Sequence, residues 1–322
     1  MSTEQVQVIA EHNVANQHAN TNHHDEIGLK ELFAAIWRAK FWLAGVSFLV
    51  AVLTAFYSLT LPNIYRSETL VSPVTEAAGG KLSSLAGQFG GIASLAGINL
   101  GSKDSNKTSI ALQKLKSREF FFNFAQQYDV LVPLMAAKSW DPDTNKLILD
   151  SDIYDEAADK WVRQVRHPRQ AKPSLLEAHE TFLDNLTVNQ DKESGMIKIM
   201  FDHVSPVIAR DWVTALVAAI NNEMRQADIN EAQSGIAYLE QQIAQTKISE
   251  IQTVLYQLIE EQTKTLMLTN VKPEYVFETI DPPVVPELKL KPARALMVIG
   301  SAALAGILGV GIVLIRLVLS KE

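Results

Sequence analysis

The chain has 322 residues, with 29 Lys and Arg against 36 Asp and Glu, a net charge of −7 and a pI near 5.6. That balance excludes a general nucleic-acid binder, which needs a concentrated basic excess to neutralise phosphates. A hydrophobic fraction of 47% excludes a wholly disordered chain. There is no cysteine, which removes disulfides, thiolate metal sites and cysteine nucleophiles together and leaves both cytosol and periplasm open.

Residues 1–29 carry Glu4, Glu11, Asp25 and Glu26, no Lys or Arg, and many Asn, Gln and His. His12, His18, His23 and His24 can be read as a metal tract, but nothing around them fixes a geometry, so a solvated, disordered tail is the reading adopted. From Ile27 an amphipathic pre-membrane segment, 30–40, puts Leu29, Leu32, Phe33 and Ile36 on one helix face. Phe41 to Leu61 then runs 21 residues without a charge, as does Ala295 to Ile315 near the other end. Each makes a helix of about 31 Å, close to the roughly 30 Å hydrocarbon thickness. Some 40 mostly polar residues precede the first stretch, and its apolar run exceeds that of a cleaved signal peptide. Both are expected to span a membrane.

Lys30, Arg38 and Lys40 precede the first span and Arg66 follows it alone, which leaves the N-terminus cytoplasmic by the positive-inside rule. Lys289, Lys291 and Arg294 before the second span, against Arg316 and Lys321 after it, decide less. The intervening loop is long, and long loops translocate largely regardless of charge. Residues 62–294 are therefore expected outside the cytoplasm, with 316–322 as a second cytoplasmic tail.

Pro62 ends the first span. Ile64 to Val71 is β-rich and predicts a strand. Residues 79–101 hold seven glycines without a G-x-x-x-x-G-K-[ST] pattern, so they predict a pliable loop or small-residue contact, not a phosphate cradle. Ser109 to Gln127 predicts a helix with Ile110, Leu115, Phe121, Phe122 and Phe124 on its apolar face. Pro142, Pro168 and Pro173 break the charged stretch 138–173, where a helix is expected around Ile153–Val165. Leu186–Val188 and Met196–Phe201 flank a turn-like Gln190–Gly195 and predict a hairpin. The fold class is therefore an α+β membrane protein: two transmembrane helices flanking an α/β base with one very long helix.

That helix starts at Ser205-Pro206, where proline suits the first turn. From Val207 to Val271 there is no further proline, and the only glycine is Gly235. Sixty-five continuous helical residues would extend about 98 Å. Ala244, Ile248, Ile251, Leu255 and Leu258 follow a 4-3-4-3 spacing, the mark of a bundle or coiled-coil seam, which needs a partner helix, and another copy of the chain can supply it. Pro282, Pro283, Pro286 and Pro292 predict an extended, stiff connector, either a plain spacer or a contact surface. In the second span Ser301, Ala305 and Gly309 repeat at i, i+4, as do Ala302 and Gly306; such small-residue ladders allow close helix approach in lipid, to a partner or within an oligomer.

No catalytic constellation emerges. Asp202-His203 beside Ser205 lacks the glycine-flanked nucleophile turn. Asp141/Asp143, Asp150/Asp152 and Glu260/Glu261 sit in polar stretches as solvated faces. No H-E-x-x-H zinc motif occurs, and six residues after Arg316 leave no room for a kinase or signalling domain there. The expectation is no enzyme, no cofactor and no metal.

Several local patterns carry a family resemblance. They are Ala111-Leu112-Gln113-Lys114-Leu115-Lys116-Ser117-Arg118-Glu119-Phe120, then Lys192-Glu193-Ser194-Gly195-Met196-Ile197. Ser205-Pro206-Val207-Ile208-Ala209-Arg210-Asp211-Trp212-Val213 follows, with Asn221-Asn222-Glu223. Last come Pro282-Pro283-Val284-Val285-Pro286 and Pro292-Ala293-Arg294. In this order, between two terminal spans and over roughly 30–320, the chain resembles the Wzz-type polysaccharide chain-length determinants, class 1 polysaccharide co-polymerases of Gram-negative inner membranes. The resemblance implies a membrane-proximal α/β base, a long periplasmic helix and a ring-like homo-oligomer. It also implies a non-enzymatic role in setting the modal length of O-antigen lipopolysaccharide or a related surface glycan, beside a Wzy-type polymerase, with a lipid-linked glycan as a candidate ligand. A co-polymerase for capsule or exopolysaccharide export, working with a separate kinase or outer-membrane exporter, shares the topology and remains the alternative.

Overall fold

The computed structural model describes residue 33 and residues 36–74, 103–271 and 274–319. The histidine-bearing tail, residues 30–32, 34 and 35 of the amphipathic segment, the glycine-rich stretch 79–101 and the end of the C-terminal tail lie outside the described residues. The chain divides into two compact units, 1–61 with 293–322 and 62–292.

The first unit pairs helix α1, Lys40–Thr60, with helix α8, Arg294–Leu319. Both are long and apolar enough to cross a membrane, and their apolar side chains stay exposed, Phe48 by 72% and Ile307 by 70%. A soluble core would bury them; lipid would not.

The second unit holds a four-stranded antiparallel sheet in the order β6-β7-β1-β8. Its strands are β1, Tyr65–Pro73, β6, Leu186–Gln190, β7, Ile197–His203, and β8, Phe277–Asp281. Tyr65 pairs with His203 and Val71 with Ile197, while Leu186 pairs with Phe201. The expected hairpin is therefore β6–β7, with Gly195 at φ +72° in its turn, a backbone state that glycine adopts freely. Helices α2, Lys103–Leu115, α3, Arg118–Gln127, α5, Leu175–Asn185, and α6, Pro206–Gln245, supply the rest of the core. Phe120, Phe121 and Phe124 meet Phe182, Phe201, Trp212 and Leu216 there, all fully or nearly fully buried. Serine caps start three of these helices: Ser117 accepts from Phe120 N, Ser174 from Glu177 N, and Ser205 from Ile208 N.

Three sequence expectations change. The helix over Ser109–Gln127 is two helices, because Ser117 leaves the helical conformation to cap the second. The helix expected around Ile153–Val165 is not formed. Asp155 Oδ1 instead accepts from Ala157 N and Ala158 N, Asp159 sits at φ +51°, and two-residue strands β4, Tyr154–Asp155, and β5, Lys160–Trp161, pair across the turn. Local carboxylate-to-backbone bonds of this kind compete with the helical ladder. A further hairpin, β2, Ala137–Asp141, with β3, Lys146–Leu149, follows the short helix α4, Leu131–Met135.

The largest change is in the long helix. The backbone is helical from 206 to 271 except at Thr246–Ile248, where α6 ends and α7, Ser249–Val271, begins. Thr246 is extended at φ −92°, ψ 127°. The two helices run antiparallel, since a Cβ on Gly235 would lie 4.0 Å from Gln262 Cδ and Asp228 meets Tyr275 just beyond α7. Gln252 Nε2 donates to Thr246 O at 2.7 Å and to Ile243 O at 3.5 Å. One side chain from the returning helix thus caps the end of α6 at the Thr246 carbonyl and shares Ile243 O with Thr246 N. The chain folds back on itself here, so one continuous helix of about 98 Å is replaced by a hairpin.

Candidate functional site

Three places gather the residues singled out by the sequence: the paired spans, the connector with its anchor on the sheet, and the helical hairpin. In the spans, a Cβ on Gly309 would stand 2.6 Å from Leu43 Cδ2, and one on Gly306 would stand 3.5 Å from Ser47 Oγ. These contacts set the antiparallel register. Gly309 is buried by this approach, whereas Ser301, Ala302, Ala305 and Gly306 are half-buried. Ser301 Oγ donates to Val298 O at 3.0 Å, which satisfies the hydroxyl inside its own helix. The small-residue face is thus engaged, at Gly306 and Gly309, by the first span of the same chain.

The connector lies along β1. Thr69 Oγ1 donates to Asp281 O at 2.7 Å and Ser67 Oγ to Val284 O at 2.9 Å. Nearer the spans, Ile64 N donates to Lys291 O at 2.9 Å and Leu290 N to Ile64 O at 2.7 Å. Asp202, on β7, receives Arg66 in a two-pronged pair at 2.6 and 2.9 Å, with Lys291 Nζ at 3.4 Å. The carboxylate is 8% exposed, so its charge is compensated by cations from both ends of the unit. Hydrogen bonding to Asp202 is the leading cause that raises the Arg66 guanidinium above its ordinary range. Pro282 and Pro283 line a groove with Thr69, Asn221 and Arg225, while Pro286 and Pro292 are half-buried. Asn221 Oδ1 accepts from Val276 N and Phe277 N, and its amide donates to Phe277 O, all at 2.9 Å. That buried Asn fixes β8 against α6.

Asp202, His203 and Ser205 have separate structural partners. Asp202 holds Arg66, His203 bonds to the backbone at Pro133 O and Ser205 N, each at 3.0 Å, and Ser205 caps α6. These bonds do not align them as nucleophile, base and orienter. Among the described residues, no group of His, Asp and Glu could hold a metal ion.

On the hairpin, Ala244 is exposed on α6 and Ile248 lies in the break. Ile251 and Leu258 are 45% and 43% exposed on α7, and only Leu255 of the five is half-buried. Among the described side chains of α7, Gln252, Leu255, Ile259, Gln262, Leu266 and Thr269 turn inward at 3-4 spacing, with Thr263 beside them, a stripe rotated from the predicted one.

Sequence reading missed one cluster. Lys107 Nζ lies 2.8 Å from Asp228 and 4.0 Å from the Tyr275 ring centroid, and the Tyr275 hydroxyl donates to Asp228. Burial opposes the Lys107 charge, but its bonds to Asp228 and Tyr275 outweigh this and raise the ammonium above its ordinary range. Burial, reinforced by Asp228, raises the Tyr275 hydroxyl. The cluster ties α2, α6 and the start of β8 together. Its members are too far apart in sequence for any spacing rule to have joined them.

Residues 25–128 match the family described as Wzz: Chain length determinant protein. The match takes in the first span, β1, α2 and α3, and stops at Tyr128, the residue that closes α3. Over these residues the chain is similar to that family. Of the local patterns that carried the resemblance, Ala111 to Phe120 falls within this match, and the others lie beyond it. No curated protein matches the chain. Among solved structures, a full-length bacterial polysaccharide co-polymerase is similar at 14% identity, with a TM-score of 0.37, over 92% of this chain and 99% of that one. A fragment of WzzB, the polysaccharide co-polymerase from Salmonella Typhimurium, is similar at 12% identity and a TM-score of 0.30, over 71% of this chain and all of that one. Those TM-scores are too low to transfer the position of any element to this chain.

Proposed function

We propose that this protein is a non-enzymatic regulator of the modal chain length of O-antigen lipopolysaccharide or a related surface polysaccharide. It acts as a homo-oligomeric scaffold beside a Wzy-type polymerase. Its two helices cross the inner membrane, its termini are cytoplasmic, and residues 62–294 are periplasmic. The observation that carries this reading is the chain length determinant match over 25–128, in a chain whose two apolar helices bracket one α/β unit. The mechanism needs no bond chemistry. A scaffold that holds the polymerase or its product for a characteristic time changes the distribution of lengths without altering the glycosidic step. Oligomer and polymerase contacts are assigned to the exposed side of α7, with Ile248, Ile251 and Leu258, and to the part of the ladder that α1 does not occupy.

Deletion of the gene should convert a modal cluster of glycan lengths into a featureless decline while polymer is still made. Replacing Ser301, Ala305 and Gly309 with leucine should partly reproduce this, because the Cβ at Gly309 already meets Leu43. A deletion strain with no surface glycan beyond a single repeat unit would overturn the reading in favour of an enzyme or an essential export component.

A further inference from the structure

Between its two anchor points on β1 the connector carries more chain than the strand beside it. It is fixed at Ser67 through Val284 O and at Ile64 through Leu290 and Lys291. The strand covers that interval with three residue steps, the connector with six from Val284 to Leu290. Residues 285–289 must therefore loop away from the sheet. Leu288 on that loop is 85% exposed, the most exposed large apolar side chain among the described residues, with Val285 and Leu290 at 40%. Pro286 restricts the backbone before it, so the loop holds Leu288 outward at small entropic cost.

The loop's position along the chain says what covers it. Lys289 Nζ reaches Asn63 Oδ1 at 3.2 Å, and Asn63 is two residues past Leu61, at most about 8 Å of backbone from the end of the first span. Lys291 is three residues before Arg294, where α8 begins. Lys289, Lys291 and Arg294 set three cations against the single Glu287 in this stretch. Apolar side chains flanked by lysines suit the headgroup layer, where the apolar body enters the acyl boundary and ammonium groups stay with phosphates. We infer that the 285–290 loop, led by Leu288 and flanked by Lys289 and Lys291, docks into the phospholipid headgroup layer, with anionic lipid as its preferred partner. This inference rests on the reading of α1 and α8 as membrane spans.

The absence of cysteine gives a direct test. The full chain carrying Leu288→Cys is labelled with an environment-sensitive fluorophore and placed in nanodiscs of phosphatidylethanolamine and phosphatidylglycerol. Glu193→Cys, in the β6–β7 turn at the other end of the sheet, and Ile307→Cys, on the exposed face of α8, are labelled in parallel. Nitroxide on the lipid headgroup should quench the Leu288 site at least about threefold more than the Glu193 site, as expected for interfacial depth. Adding Lys289→Glu should lower that quenching about twofold with phosphatidylglycerol present and leave it unchanged in phosphatidylcholine alone. A Leu288 label as open to aqueous iodide as the Glu193 label, or shielded from both iodide and lipid nitroxide, would overturn the inference. Nitroxide deep in the acyl chains should quench the Ile307 site. Failure there removes the span reading itself, whereas success at Ile307 with failure at Leu288 removes only the loop's docking.

Discussion

His203 accepts the backbone N–H of Ser205 at Nδ1, so its Nε2 must donate to the Pro133 carbonyl. That tautomer is assigned by the bonds around it, and both ring nitrogens are satisfied only while the ring is neutral. Burial pushes its pKa below the ordinary 6.5. In the unfolded chain the ring gains a proton near pH 6.5, whereas in the fold it resists doing so. The unfolded state therefore binds more protons between those two values, and stability falls as pH drops through that window. Thermal unfolding of the full chain in detergent should show this loss, with a slope of up to about 1.4 kcal/mol per pH unit from this group. His203→Gln should flatten the slope below pH 6.5. A variant with the same slope as the parent would assign the acid sensitivity to other groups. Beside it, Asp202 pairs with Arg66 and Ser205 caps α6, so three neighbouring polar residues have three separate structural partners.

At the level of elements, the α6–α7 hairpin is the feature that periodicity alone misassigned. The absence of proline and glycine near residue 246 argued for one rod, and propensity offers only a weak signal there, the β-branched Thr246 and Ile248 around Lys247. What decides the break is non-local. Folding back lets Gln252 cap the end of α6 at Thr246 O and leaves Leu255, Ile259 and Leu266 half-buried. The check is a double variant, Gly235→Cys with Gln262→Cys, treated with a short bifunctional maleimide. A Cβ at Gly235 meets Gln262 at ordinary van der Waals distance, so the pair should crosslink efficiently within one polypeptide. In a continuous helix the two positions would stand about 40 Å apart. Mixing isotope-labelled with unlabelled protein before crosslinking separates the outcomes, and a product joining only different chains would contradict the hairpin.

Across the whole molecule, the proposed topology can be read in cells. Alkaline phosphatase fused after residue 150 should be active and fused after residue 320 inactive, because the first position is assigned to the periplasm and the second to the cytoplasm. The reverse pattern would invert the orientation and move the proposed length control to the wrong side of the membrane. The same arrangement explains the backbone pairing of Ile64 with Lys291. Segments adjoining the two spans are joined by main-chain bonds and by the Arg66–Asp202–Lys291 cluster, so this edge of the unit is held at both chain entries.

Much of this was legible from the sequence because the signals are local. Two charge-free runs of 21 residues predict span-length helices without any tertiary partner, and helices Lys40–Thr60 and Arg294–Leu319 follow. Proline after serine at 205–206 marks a helix start through one turn of backbone geometry. The β6–β7 hairpin needs only a polar turn ending in glycine between two apolar runs. The tertiary structure alone decided which faces those elements use. Gly309 became a contact with Leu43 when the spans paired, the predicted seam rotated outward when α7 turned back on α6, and Lys107, Asp228 and Tyr275 met across 168 positions of sequence. The reason is physical: periodicity reports that a helix has an apolar side, but the partner that covers it is chosen by chain reversal and by which buried polar groups can be satisfied together.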